Sequence, residues 1–241
     1  MIHSIFDNAQ GVVFDKDGTL LDHDATWVAA TKAFGLKASG GNLALAKRLL
    51  KEQKFDWDAE IFEGGDGVAG NTWPVTVERF RASMEARRED TSFLEDALDF
   101  ILDPSVADRP VPLPGVQDLV AALKSAGMKI GLATNDSEAG ARVHLKAMGL
   151  LDYFDTVVGA DSGFGGKPAP GMIEGCASQM GLTSRQVVMV GDTDRDTLAG
   201  QAAGCLEVVA VLNGAHLTAS MKASASLILA ETRDLMLSVD S

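Results

Sequence analysis

The chain has 241 residues, 46% of them apolar, and a formal net charge of -13 from 34 acidic and 21 basic residues. That length suits one hydrophobic core, with or without a smaller inserted domain. The acidic balance argues against nonspecific nucleic-acid binding, which needs a basic face, and no apolar run approaches the ~20 residues that span a bilayer.

The first ten residues, MIHSIFDNAQ, carry no basic segment followed by an apolar run, so no signal peptide is expected. The first predicted strand is GVVFD at 11–15, a short apolar run ending in a charge. From residue 22 to 112 the pattern is helical, in WVAATKAF, LALAKRLL, VERFRASMEARRED and FLEDALDFIL, with no good strand. A helical insert of that length straight after the first strand is not a normal crossover. It is read as a separate all-helical cap domain at 22–112, with 1–21 and 113–241 forming the core. The proline-rich RPVPLPG at 109–115 marks the return to the core, because proline disfavours helix there.

Beyond it, apolar runs at 129–134, 155–160, 186–192 and 206–212, and a weaker one at 226–230, alternate with helical patterns at about 115–126, 136–149, 169–181 and 194–203. Continuous apolar runs suit strands buried on both faces. The alternation predicts an α/β fold with an open parallel sheet and right-handed crossovers. Cys176 and Cys205 are the only cysteines and lack CxxC spacing, so two reduced thiols in a soluble cytoplasmic protein are expected.

Two glycine-rich strings fail as nucleotide motifs. GDGVAG at 65–70 matches the letters of the dinucleotide fingerprint but has no strand before it and no helix after it, so it is read as a mobile cap loop. GFGGKP at 163–168 has Asp161 where a phosphate loop needs glycine, and Pro168 where it needs Ser or Thr.

Four other segments carry chemistry. Asp15 and Asp17 end the first strand; residues two apart on an extended segment point the same way, so their carboxylates converge, and a divalent cation such as Mg²⁺ would relieve their repulsion. A capped turn is the plainer reading of the same four letters, with Gly18 allowing the bend. Thr134 and Asn135 end the second core strand before a helix, whose N-terminus suits phosphate; Asp136 or Ser137 as a simple helix cap is the alternative. Lys167, in GGKPAP, either neutralises phosphate and nucleophile or is a solvated surface lysine. Asp192 stands at the fourth strand's tip, and Asp196 lies one helical turn later on the same side. All four segments fall at carboxyl ends of predicted parallel strands, where open α/β sheets bind ligands.

FDKDGTL at 14–20, ATN at 133–135, KPAP at 167–170 and GDTDRDTLAGQAAG at 191–204, in this order, resemble the haloacid dehalogenase-like hydrolase superfamily, and within it the phosphoglycolate phosphatase-like branch with a helical cap. The resemblance implies a Rossmann-like core and a Mg²⁺-dependent phosphomonoester hydrolase working through an aspartyl-phosphate, with phosphoglycolate the leading substrate. It implies Asp15 as nucleophile, Asp17 as general acid/base, and Asp15, the backbone carbonyl of Asp17 and Asp192 as metal contacts. Thr134, Asn135 and Lys167 would hold phosphate, and Asp196 would support the metal. A sugar-phosphate phosphatase, a β-phosphoglucomutase-like phosphotransferase and a catalytically silent binding protein are the alternatives. The partner is then a small phosphorylated metabolite, with no nucleic acid and no membrane, and the protein a monomer or homodimer. One departure is Lys16, where such proteins often have an apolar residue; its side chain is expected to point away from Asp15 and Asp17.

Overall fold

The computed structural model describes residues 1–63, 67–107 and 109–236. Residues 65–66 of the expected glycine-rich loop therefore lie outside the described residues. The chain forms two compact units, Met1–Asp22 with Val111–Ser241, and His23–Pro110.

In chain order, β1 (Gly11–Phe14) opens the first unit. The second unit follows as α1 (His23–Ala38), α2 (Leu43–Glu52), β2 (Phe55–Asp56), β3 (Ile61–Phe62), α3 (Trp73–Ala86) and α4 (Leu94–Leu102). The first unit resumes with α5 (Val116–Ser125), β4 (Lys129–Ala133), α6 (Glu138–Ala147), β5 (Thr156–Val158) and α7 (Gly171–Gln179). It ends with β6 (Val187–Gly191), α8 (Asp194–Ala203), β7 (Glu207–Val211), α9 (Ala219–Ser224) and β8 (Leu227–Leu229). Among the described residues no helix is long and apolar enough to cross a membrane.

The six strands of the first unit form one parallel sheet in the order β5-β4-β1-β6-β7-β8. Its inner strands are apolar on both faces because both faces are covered. Val12 and Phe14 pack with Leu119 and Leu123 of α5 and Ala141 and Leu145 of α6. Val13 points the other way, into Met172, Ile173 and Cys176 of α7 and Ala199 of α8. Burying a side chain such as Phe14 contributes about 1.5–3 kcal/mol. Right-handed crossovers explain the sides. The chain walks outward from β1 through β4 to β5, then returns to β6 on the other side of β1, so the later helices must cover the opposite face. That reversal makes the carboxyl end of β1 the topological switch point, the place where open α/β sheets bind ligands.

The second unit has its own core, in which Trp27, Phe34, Leu49, Leu50, Phe80, Met84 and Leu94 are buried. Phe34 lies between Trp73 and Phe80, with ring centroids 5.0 and 5.4 Å away. The Asn42 side chain caps α2 by accepting from the Leu45 N–H at 3.1 Å. The unit contains one element the sequence pattern does not reveal: β2 and β3 pair antiparallel, Phe55 opposite Phe62 and Asp56 opposite Ile61. Two-residue strands are too short to show an alternating pattern. The Asp56 carboxylate closes the turn by accepting from the N–H groups of Asp58 and Ala59 at 3.1 and 3.0 Å.

Both cysteines are free. Burial pushes the thiols of Cys176 and Cys205 up to about 12.

Candidate active site

Every candidate side chain belongs to the first unit and stands at or just past the carboxyl end of a strand. Asp15 continues β1, its N–H donating to the Val190 carbonyl of β6 at 2.9 Å. Thr134 follows β4, Asp192 follows β6, and Asp196 sits in the first turn of α8. Lys167 comes from the β5–α7 connection and is buried together with Asp15 and Asp196.

The Lys167 ammonium is the hub. It is hydrogen-bonded to Asp15 Oδ1, to Asp196 Oδ1 at 2.6 Å and to the Ala133 carbonyl at 2.8 Å. Asp196 is itself oriented by the Thr193 N–H, 3.0 Å from its other oxygen, in a reciprocal cap at the start of α8. Asn135 clamps the lysine from behind. Its Oδ1 accepts from the Lys167 N–H at 3.0 Å, and its Nδ2 donates to the Lys167 carbonyl at 3.3 Å. Asp192 is held by the Thr19 hydroxyl at 3.1 Å. Asn213 and Thr232 fix the turn that carries Thr19, donating to the carbonyls of Gly18 and Thr19 at 2.7 Å each.

Charge is unbalanced here. Asp15, Asp192 and Asp196 each bring an oxygen within 4.8 Å of the others, and Lys167 is the ammonium bonded into the group. Burial, and then the charges of Asp196 and Asp17, push Asp15 up from 3.8 to about 7, although Lys167 works against the rise. Asp192 is raised well above the ordinary carboxylate range by burial first, then by Asp15 and Asp196. Burial opposes the charge on Lys167, but the two carboxylates outweigh it and its pKa lies above the usual lysine value. Three close carboxylates around one ammonium leave negative charge to be met by protons or by a cation. An all-oxygen donor set fits a hard divalent cation.

Asp17 is set by the turn rather than by the strand. It lies past the end of β1, in a turn where it bridges to Leu21, so strand alternation no longer sets its direction. Its charge is felt by Asp15, yet its side chain is outside the carboxylate cluster. The Lys16 ammonium holds it instead, 2.9 Å from Oδ2 and 3.1 Å from Oδ1. This corrects the expectation that Lys16 points away from both aspartates. Lys16 is wholly buried and turned onto Asp17, because alternation ends with the strand and the chain bends back. Ser137 caps α6, accepting from the Gly140 N–H at 3.1 Å. Asp136 is no simple cap: it pairs with Lys16 at 3.0 Å, and its N–H donates to the Thr134 hydroxyl at 3.1 Å. Sequence reasoning also missed Thr19, which lies inside the FDKDGTL motif but was given no role, and His144, Asn213 and Thr232, which no local pattern marks.

Known proteins resemble this chain over most of its length. A family model described as haloacid dehalogenase-like hydrolase matches residues 9–204. A phosphoglycolate phosphatase of Neisseria meningitidis is 31% identical over 212 residues, covering 86% of this chain and 82% of the relative. Among solved structures, a HAD phosphatase from Thermococcus onnurineus superposes with a TM-score of 0.67 at 22% identity, over 94% of this chain and 95% of the other. The β-phosphoglucomutase of Clostridium difficile gives 0.65 at 19% identity, over 95% and 94%. At those identities the two structures establish a shared fold.

Proposed function

The chain belongs to the haloacid dehalogenase-like hydrolase family and is a phosphoric monoester hydrolase, and on that premise we propose that it cleaves a small phosphorylated metabolite, phosphoglycolate in the first instance, through an aspartyl-phosphate on Asp15. The observation that carries this reading is the union of Asp15, Asp192 and Asp196 around the Lys167 ammonium at the sheet's switch point.

Asp15 attacks phosphorus in line, its oxygen forming the new P–O bond as the ester P–O bond breaks. Asp17 gives its proton to the departing alkoxide oxygen. It then takes a proton from the water that hydrolyses the aspartyl-phosphate, which returns Asp15 as carboxylate and releases inorganic phosphate. Lys167 offsets charge on the nucleophile and on the phosphoryl oxygens, and Asn135 keeps it there. Thr134 is assigned to the phosphoryl group. A divalent cation, Mg²⁺ in our reading, would be held by Asp15, Asp192 and the Asp17 carbonyl with Asp196 in support, and when bound it supplies Lewis-acid neutralisation of phosphoryl charge.

The helical unit His23–Pro110 is assigned the role of a cap that reads the rest of the substrate. The test is phosphate release from a panel of phosphorylated metabolites with Mg²⁺ and with chelator. Metal-dependent release, fastest with phosphoglycolate, supports the reading. Release that survives thorough chelation removes the metal, and release from none of the panel removes the hydrolase assignment to small metabolites.

A further inference from the structure

Lys16 is a buried cation with no part in the mechanism above. Side chains of Asp17, Asp136 and His144 reach its ammonium. Asp17 takes it with both oxygens, at 2.9 and 3.1 Å, Asp136 Oδ2 lies at 3.0 Å and His144 Nδ1 at 2.8 Å. An ammonium has donors only, so Nδ1 of His144 stands as its acceptor.

Two of these partners form a fixed post. Asp136 belongs to the β4–α6 connection. Its carbonyl accepts from the Ala160 N–H at 2.8 Å, and its second carboxylate oxygen accepts from the Ser137 N–H at 2.7 Å. His144 is buried on α6. Asp17 is the more open carboxylate, with 20% of its side chain exposed against 10% for Asp136. The ammonium is thus anchored from the protein side and presents one face to Asp17. The contacts at 2.9, 3.1 and 3.0 Å hold the ammonium between Asp17 and Asp136.

We infer that Lys16 is a positioning residue for Asp17: from a buried post built by Asp136 and His144 it clasps both carboxylate oxygens and sets the direction from which Asp17 meets the leaving group. The inference rests on the reading of Asp17 as the acid/base. A misplacement of about 1 Å in such a group costs on the order of 10²-fold in rate.

Leaving-group dependence tests it. The alkoxide released from phosphoglycolate needs a proton, whereas p-nitrophenolate leaves as a stable anion. The ratio of kcat/KM for phosphoglycolate over p-nitrophenyl phosphate therefore reports acid help in the first step, and a general loosening of the fold lowers both values together. Lys16→Met keeps the stem and removes the charge. Lys16→Met with Asp136→Asn also removes the carboxylate left buried without its cation, and so protects folding. Asp17→Asn is the reference. We expect Asp17→Asn to lower the ratio most, and a cooperatively melting Lys16 variant to lower it by about 10-fold or more. A folded Lys16 variant with the wild-type ratio, beside a lowered ratio in Asp17→Asn, overturns the inference and leaves the acid/base reading standing. An unchanged ratio in Asp17→Asn overturns both.

Discussion

Gly18 and Asp192 are so close that a Cβ on Gly18 would stand 2.1 Å from the Asp192 carboxylate. Gly18 also has φ +80°, a left-handed conformation that other residues adopt only under strain. Both facts serve one end: the turn after β1 lays its backbone against a carboxylate of the cluster, where Thr19 can hold it at 3.1 Å. Gly18→Ala should move Asp192 and lower turnover by about 10²-fold, while costing the fold only about 1–3 kcal/mol. Steady-state kinetics beside a thermal melt would check this, and normal turnover in the variant would show that Asp192 tolerates displacement.

The two motif-one aspartates should separate by role. Asp15→Asn should abolish phosphoenzyme formation, because an amide is a poor nucleophile. Asp17→Asn should still be phosphorylated by an aryl phosphate but turn over about 10²-fold or more slowly. Rapid-quench labelling with radioactive phosphate distinguishes the two. Near-normal turnover in folded Asp15→Asn would place the nucleophile elsewhere.

Stability should respond to pH and cation together. The folded state raises Asp15 from 3.8 to about 7, so below neutrality it binds more protons than the unfolded chain. That group's contribution is most favourable below about pH 4, is lost as pH rises from about 4 to 7, and stays lost above. Asp192 shifts in the same direction. A cation replaces those protons. Melts of metal-free protein should therefore show a larger gain from added Mg²⁺ at about pH 8 than at about pH 5. Equal gains at both would mean that these carboxylates are not the site.

Asn135 should matter through Lys167. Its amide satisfies the lysine's N–H at 3.0 Å and carbonyl at 3.3 Å. Asn135→Ala removes both partners and should cost about 1–3 kcal/mol in stability, with weaker inhibition by inorganic phosphate as Lys167 loses its anchor. Unchanged phosphate inhibition would mean that Lys167 is held well enough by Asp15 and Asp196 alone.

Much of this protein is legible along the chain. The strands of the core are readable because each is a short apolar run, buried on both faces at the centre of the sheet, and a parallel sheet gathers its strand ends on one edge. Asp15, Lys167, Asp192 and Asp196 could therefore be placed in one crevice from order alone, although they span residues 15 to 196. The two-residue hairpin of the helical unit was invisible because a pattern needs more than two residues to repeat.

Lys16 marks where local reading stops. Alternation along a strand predicts a side chain's direction only while the backbone stays extended, and β1 ends at Phe14. Past that point direction is decided by partners. The partner that pins Lys16 most closely from behind, His144, lies 128 residues away. A lysine is an exposed residue by default because desolvating its charge is costly. Only the folded chain, by bringing Asp17, Asp136 and His144 around one ammonium, makes burial its stable place.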